Sequence, residues 1–226
     1  MATWRRPIGS GIARIKNANG KKSWKSSSVA QSKTINKLLA DTNMPPSQLL
    51  TALEHVWSTL ADVPHKAIAG GLAVSFWGYP RSTRDVDLAI LVPKVNPLQQ
   101  LDQSLRSGGL RPKNPGGPKT LGEMQVYQWK YEILEAHIEV DVDLLLGDSS
   151  YFSQALTRRR PCCIASVNAN MQVLSCEDLI LFKTMAGRLI DLADIRELLA
   201  VNREALDFSY LQHWSKQLGV QIPAEQ

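Results

Sequence analysis

The sequence has no long apolar run. No stretch of it reaches 18 consecutive apolar residues, so we expect no transmembrane helix. The N-terminal segment is basic but lacks the apolar stretch of about 7–15 residues that a secretory signal contains. We therefore expect a cytoplasmic protein that makes no contact with a membrane.

Cysteine and histidine are also scarce. The three cysteines (Cys162, Cys163 and Cys176) cannot form a disulfide framework, and the adjacent pair lacks the spacing of metal ligands. The four histidines are scattered along the chain, which argues against a zinc site. A reducing compartment is the natural setting for such a protein.

Acidic residues are absent from the first 40 positions, which hold nine of the 26 lysines and arginines. The segment up to about residue 33 is rich in Ser, Lys, Gly and Asn and too poor in apolar residues to fold alone, so we interpret residues 1–43 as a disordered basic tail. Two interpretations of this tail remain open. It is an arm that binds nucleic acid through phosphate contacts and stacking of Trp4 and Trp24, or it precedes a natural start at Met44.

The rest of the chain predicts a core over residues 44–174 and a helical part over 175–226. Apolar spacing predicts helices over Ser47–Leu60, Pro97–Ser107 and Tyr151–Arg160, the last ending in three arginines. The Pro- and Gly-rich residues 111–123 are expected to be a loop.

One stretch, residues 66–92, combines several features that bear on function. A short apolar strand at Ala67–Ala69 leads into Gly70–Gly71, and Leu72–Trp77 is expected to be a helix that Gly78 ends. After a basic loop, the next strand opens with two aspartates, Asp85 and Asp87.

These two aspartates share one face, because residues i and i+2 of a strand point the same way. Carboxylates that close repel each other unless a cation lies between them. Mg²⁺ prefers oxygen ligands and is commonly held by one or two carboxylates together with substrate phosphates. Asp85 and Asp87 are therefore candidate metal ligands, although a lone Asp-x-Asp is more often a solvated strand edge.

The residues before them suit a triphosphate. Gly70 and Gly71 allow a backbone to approach phosphate closely, and the helix that follows offers free N–H groups to an anion. Arg81, Thr83 and Arg84 can add positive charge and a hydroxyl. No Gly-Lys-Ser/Thr follows the glycines, so this is not a Walker phosphate loop.

Gly-Gly-Leu-Ala-Val followed by Pro-Arg-Ser-Thr-Arg-Asp-Val-Asp-Leu resembles the signature of the DNA-polymerase-β-like nucleotidyltransferases, and in particular the small prokaryotic branch with the AbiEii/AbiGii toxins. The resemblance covers about residues 47–200. It implies an α/β (α+β) fold with a small mixed sheet, helices behind it and a C-terminal helical part. It also implies a nucleoside triphosphate as substrate, two Mg²⁺ ions and a third carboxylate on a neighbouring strand.

The third carboxylate is expected on the alternating strand His137–Leu145. Asp143, which is followed by three leucines, best matches the family's position, and Asp141 lies one period earlier on the same face. Asp141 therefore stays open as the alternative, while Glu139 is expected at the rim.

Two further positions come from the resemblance of residues 177–195 to the family's C-terminal region. The matching lysine is Lys183, and the matching aspartate is Asp191. A helix is predicted from Ser175 to about Leu189, and Lys183 falls on its inward face, where it needs an anionic partner. That partner is the bound triphosphate or, structurally, Asp191 or Asp194. Asp191 could instead cap the next helix, Leu192–Val201.

The predicted activity is nucleotidyl transfer to an acceptor hydroxyl, with Asp85, Asp87, Asp143 and Lys183 as catalytic residues. The resemblance implies RNA, particularly tRNA ends, as acceptor in a toxin–antitoxin or phage-defence setting with a possible antitoxin. A partner protein, or a small molecule such as an aminoglycoside, is the alternative acceptor. Two non-enzymatic alternatives remain: a degenerate fold that binds nucleotide or RNA without turnover, and a nucleic-acid-binding protein that acts through its tail.

Overall fold

A computed structural model describes residues 14–16, 22–24, 46–92, 97–162, 164, 167 and 169–223. Within these residues, strands and helices alternate around one mixed sheet. The strands are β1 (Arg14–Lys16), β2 (Lys22–Trp24), β3 (Lys66–Ile68), β4 (Asp85–Leu91), β5 (Arg111–Pro112), β6 (Lys119–Leu121), β7 (Met124–Ile133), β8 (Ile138–Gly147), β9 (Arg160–Cys162) and β10 (Met171–Val173). The helices are α1 (Pro46–Thr59), α2 (Gly70–Phe76), α3 (Pro97–Ser107), α4 (Ser150–Thr157), α5 (Cys176–Ala186), α6 (Leu189–Asn202) and α7 (Phe208–Gln217).

The α/β prediction is therefore confirmed, with an eight-stranded sheet in the order β5-β7-β8-β4-β3-β10-β9 and β6 beside β7. The central pair, β4 and β8, is parallel, whereas β3 and β7 flank it antiparallel. The chain reaches β8 from β4 through α3 and the β5–β7 strands, which brings two distant acidic segments side by side.

The buried apolar residues form one cluster that extends from Leu49 in α1 to Leu211 in α7. The C-terminal helices thus share their core with the sheet. Just beyond the end of α1, the buried Lys66 donates hydrogen bonds to the carbonyl oxygens of Leu60 and Val63, at 2.7 and 3.0 Å. None of the helices among the described residues is both long and apolar enough to cross a bilayer.

Several predicted boundaries are wrong. α2 begins at Gly70 rather than Leu72, because the Ala73 N–H already donates to the Ala69 carbonyl at 3.2 Å. α4 ends at Thr157 rather than Arg160, because Arg160 precedes Pro161, and a residue before proline is pushed towards extended backbone.

The predicted loop 111–123 contains the short strands β5 and β6, both paired with the outer side of β7. Proline is tolerated on such an edge strand because one side of the strand faces solvent. The Pro-rich composition was therefore interpreted as a loop although it contains these two strands.

The predicted disordered tail lies mostly outside the described residues. Where it is described, β1 and β2 pair antiparallel, with Arg14 opposite Trp24. Each of these two short strands satisfies part of the backbone of the other. Met44 and Trp4 fall outside the described part of the chain.

We expect Leu144→Ala to destabilise the protein by about 2–5 kcal/mol, because Leu144 is fully buried in the central strand and its truncation leaves a cavity. Urea denaturation measures the loss. The matched control is Leu134→Ala, since that side chain is 74% exposed and its loss should change the free energy of unfolding by less than about 0.5 kcal/mol. Equal losses in the two variants would contradict the assigned core.

Candidate active site

The parallel pairing of β4 and β8 brings the predicted carboxylates together. Asp87 lies directly opposite Asp143, and Asp85 directly opposite Asp141. Paired residues of adjacent strands share a face, and the strands lie about 4.8 Å apart. The opposite face of both strands is fully buried through Val86, Leu88, Val142 and Leu144. Burial of that face forces the aspartates onto the other one.

The glycine pair is packed against the site. Gly70 has φ +55°, and a Cβ added there would lie 1.7 Å from Oδ2 of Asp87. A Cβ on Gly71 would lie 2.6 Å from Oγ1 of Thr83. The side chains of the site therefore fill the space that the two missing Cβ atoms leave.

The carboxylates of Asp85 and Asp143 each have a neutral hydrogen-bond donor that orients them. The buried Thr83 hydroxyl donates a hydrogen bond to Oδ1 of Asp85, so the hydroxyl predicted to bind phosphate is engaged within the protein. The Gln128 side-chain amide donates to both oxygens of Asp143, at 3.2 and 3.4 Å. Gln128 was not predicted from the sequence. It reaches Asp143 because the two residues are opposite each other in the β7–β8 register.

The carboxylates carry more negative charge than their surroundings balance. Burial, followed by the charges of Asp85 and Asp143, raises the pKa of Asp87 to about 7, although Lys183 and Arg188 act in the opposite direction. Burial likewise raises the pKa of Asp143, against the hydrogen bond from Gln128. Such shifts are characteristic of sites that bind a cation or perform acid–base chemistry.

Behind these aspartates, five charged side chains of alternating sign form a chain of ion pairs, which we call the ion chain: Arg188, Asp191, Lys183, Asp194 and Arg81. Its links measure 2.7 Å (Arg188 to Asp191), 3.0 Å (Lys183 to Asp191), 2.7 Å (Lys183 to Asp194) and 2.9 Å (Arg81 to Asp194). The three inner members are at most 4% exposed. Lys183 is thus buried as predicted, and both aspartates named as structural partners contact it.

Asp191 is the third residue of α6, so the prediction that this helix starts at Leu192 is wrong. Its carboxylate accepts the backbone N–H of Arg188 at 3.3 Å, which caps the helix from inside its first turn. Burial alone would raise the pKa of Asp191, but hydrogen bonds and charges from Arg188 and Lys183 outweigh it and keep the pKa below its ordinary value.

Two openings flank the carboxylates. A cavity of about 100 Å³ is lined by Gly70, Asp87, Asp143, Lys183 and Arg188, and its apolar wall includes Leu121, Met124 and Phe182. A cleft of about 600 Å³ is lined by residues 81–85 together with Lys130, Glu139 and Asp141.

Asp141 and Glu139 are both held by cations at the rim. Lys113 contacts Asp141 at 2.6 Å, and Glu139 pairs with Arg111 and Lys130. Asp143, in contrast, has only a neutral hydrogen-bond donor and lies opposite Asp87. Asp143 and Asp141 thus differ in their partners, since Asp141 is paired with a lysine and Asp143 with a neutral amide.

No three His, Cys, Asp or Glu side chains are gathered into a ready-made metal site in the described part of the chain. The donor set nevertheless fits Mg²⁺ in its chemistry. Asp85, Asp87 and Asp143 are hard oxygen donors, and the raised pKa values of Asp87 and Asp143 mark a local deficit of positive charge that a divalent cation would supply.

The sequence reasoning did not name Arg188, and it named Asp194 only as a structural partner of Lys183. Arg188 is 64% exposed and lines the cavity with Asp87 and Asp143. Asp194 holds Arg81 and Lys183 together. The available signal was the spacing of Asp191 and Asp194, which puts two carboxylates on one face of a helix.

The sequence of this chain matches the model of the nucleotidyl transferase AbiEii toxin family, a type IV toxin–antitoxin system, over residues 51–213. No curated protein matches it. JHP933 from Helicobacter pylori is similar at 19% identity with a TM-score of 0.46, over 76% of this chain and 74% of that one. An antigenic nucleotidyltransferase-like protein from Paracoccidioides brasiliensis is similar at 19% identity with a TM-score of 0.45, over 79% and 95%.

We expect Gly70→Ala to perturb the site far more than Gly109→Ala. Both glycines have positive φ, at +55° and +80°, so both variants carry backbone strain. Only the Gly70 variant drives a Cβ into Asp87, because nothing lies within 4 Å of the position at Gly109. Mg²⁺ affinity, measured by calorimetry, should fall at least about 10-fold in the first variant and stay unchanged in the second. Equal effects would show that backbone strain alone matters at Gly70.

The raised pKa of Asp87 predicts how stability depends on pH without metal. Between about pH 4 and pH 7 the unfolded chain loses the Asp87 proton and the folded protein keeps it, so this residue makes stability fall as pH rises. Asp87→Asn removes the effect. In EDTA the variant should be more stable than wild type by about 2–4 kcal/mol at pH 8 and nearly equal to it at pH 4. Urea denaturation at both pH values measures the difference, and a constant difference would refute the raised pKa.

Proposed function

The chain belongs to the AbiEii nucleotidyl transferase toxin family, and we propose that it transfers a nucleoside monophosphate from a nucleoside triphosphate to the hydroxyl of an RNA. The bond between the α-phosphorus and the bridging oxygen breaks and pyrophosphate leaves. A bond from the acceptor oxygen to the α-phosphorus forms, and the acceptor hydroxyl loses its proton. Nucleotidyl transfer is the activity of the family, whereas the RNA acceptor is our inference.

The observation that carries this proposal is the pairing of Asp87 with Asp143 beside Asp85. The negative charge of these carboxylates is only partly compensated, and a cavity lies next to them. Asp85, Asp87 and Asp143 would hold two Mg²⁺ ions, which supply Lewis-acid stabilisation of the attacking and leaving oxygens when bound. A module that only binds nucleotide has no need to crowd three carboxylates on one face.

The cations around the carboxylates receive separate roles. Arg188 is exposed and lines the cavity, so it is well placed to contact phosphate. Lys183 is buried between Asp191 and Asp194, so it acts mainly as fixed positive charge next to Asp87. Gly70 and Gly71 present backbone without side chains on the same side.

Arg81 and Arg84 border the cleft on the side of Asp85. Arg81 is fixed by Asp194, whereas Arg84 is exposed. We assign both to the phosphate groups of the substrates. Cytoplasmic RNA and nucleoside triphosphates are the reactants, and the family's toxin–antitoxin description favours an antitoxin as a partner of this chain.

We expect purified protein with Mg²⁺ and each of four labelled nucleoside triphosphates to label RNA, and Asp87→Asn to lower that rate by at least about 100-fold because a carboxylate of the metal site is lost. Total RNA and cell protein are the acceptors, and EDTA should abolish labelling. Asp148→Asn is the matched control, since Asp148 is exposed beyond the end of β8.

Label in protein alone would replace RNA with a partner protein as the acceptor. Nucleotide binding without any label would support a degenerate fold and refute catalysis.

A further inference from the structure

The segment that follows the edge strand β5 is tied to the strand beside the carboxylates. The Lys113 N–H donates a hydrogen bond to the Gln128 carbonyl oxygen at 2.9 Å, which extends the β5–β7 ladder one residue beyond Pro112. Asn114 is the next residue, and Pro115 follows it. A residue before proline is held away from helical backbone. The ladder on one side and the proline on the other therefore restrict the backbone of Asn114.

Two amide side chains connect this segment with Asp143, and we call them the amide relay: Asn114 and Gln128. Nδ2 of Asn114 donates to Oε1 of Gln128 at 3.0 Å. Nε2 of Gln128 donates to both carboxylate oxygens of Asp143, at 3.2 and 3.4 Å. These bonds are all partly buried, so solvent competes with them less than it would at an exposed surface. A residue outside the central strands is thus linked to the carboxylate that faces Asp87.

The charge of Asp143 determines the direction of both hydrogen bonds. An ionised carboxylate only accepts, so the end of Gln128 that faces Asp143 is the NH2 group. The carbonyl oxygen of Gln128 then faces away from Asp143 and needs a donor, which Asn114 supplies. A glutamine side chain loses much rotamer freedom when it is ordered. A hydrogen bond at its carbonyl oxygen therefore helps to keep its NH2 group on Asp143.

We propose that Asn114 is a positioning residue of the metal site: it holds the Gln128 amide and, through that amide, keeps the Asp143 carboxylate in the orientation that receives Mg²⁺. This inference rests on the proposed function, because it takes Asp143 as a metal ligand of the same reaction. Hydrogen-bond partners of a ligating group orient that group and change its affinity for metal.

Lys113, the neighbour of Asn114, acts on the same carboxylates through its charge. Its Nζ contacts Asp141 at 2.6 Å. The hydrogen bond to Asp141 raises the pKa of Lys113, and the charges of Asp143 and Asp85 act in the same direction against burial. Lys113 thus supplies positive charge where a divalent cation would supply it. Two adjacent residues of one segment should therefore change the affinity for metal in opposite directions.

The first test measures Mg²⁺ affinity of the full chain by calorimetry, without nucleotide or RNA. Asn114→Ala should weaken binding about 3- to 10-fold, and Gln128→Ala about 10-fold, because Asp143 loses its orientation. Lys113→Gln should tighten binding about 2- to 5-fold, because a competing positive charge is removed. Gly116→Ala is the matched control, since a Cβ there meets nothing within 4 Å, and it should change nothing.

Weaker binding in all three variants of the segment, at Lys113, Asn114 and Gly116, would overturn the proposal, because the segment would then matter only for its folded shape. The double variant Asn114→Ala/Gln128→Ala decides whether Asn114 acts through Gln128. Its loss of affinity should equal that of Gln128→Ala alone, since residues of one hydrogen-bond network are not additive. Losses that multiply would show that Asn114 acts independently and would also overturn the proposal.

A measurement without metal tests the amide relay apart from catalysis. In EDTA, the side-chain NH2 resonances of Gln128 are identified by their absence in Gln128→Ala. They should shift in Asn114→Ala and in Asp143→Asn but not in Gly116→Ala. Resonances that do not move in Asn114→Ala would refute the amide relay.

The two proposals fail in different ways. Wild-type protein that binds no Mg²⁺ would overturn the positioning role of Asn114. Mg²⁺ affinities that follow the expected pattern, in a protein that transfers no label to RNA or protein, would refute the proposed function and leave the positioning role intact.

Discussion

The repulsion among three carboxylates on two adjacent parallel strands is the constraint on which the rest of the site depends. A fully apolar opposite face prevents the aspartates from turning away, and the β4–β8 register places Asp87 against Asp143. Because Gly70 has no Cβ, the Asp87 side chain can occupy the adjacent space. Thr83 orients Asp85, and Gln128 orients Asp143. The fold thus crowds three carboxylates whose burial and mutual repulsion raise the pKa values of Asp87 and Asp143.

The ion chain stabilises this arrangement at a distance. Burying Asp191, Lys183 and Asp194 is costly, and each of them has two oppositely charged partners that offset the cost. The two arginines at its ends line different openings, since Arg188 lines the cavity and Arg81 the cleft. The same buried residues therefore position an arginine at each of the two openings.

The spacing of residues in the sequence was enough to propose the carboxylates, but not the residues that hydrogen-bond or pair with the site from other elements. Asp85 and Asp87 follow from i, i+2 spacing. Alternation on the later strand places Asp141 and Asp143 on one face, and the family resemblance favours Asp143. Gln128, in contrast, acts only through the register of β7 against β8, which no local pattern of polar and apolar residues specifies. Arg81 meets Asp194 across 113 residues of sequence. The edge strands β5 and β6 were missed because their composition is that of a loop, although they carry Arg111 and Lys119 on the sheet.

The long sequence separation within the ion chain has a consequence for biosynthesis. During translation, β4 and β8 leave the ribosome well before α6, so the carboxylates can pair while Arg81 and Lys183 still lack Asp194. A nascent or truncated chain that stops before α6 carries the acidic residues but not the buried counter-charges that hold the cations in place. The ion chain is therefore completed only after α6 has been synthesised.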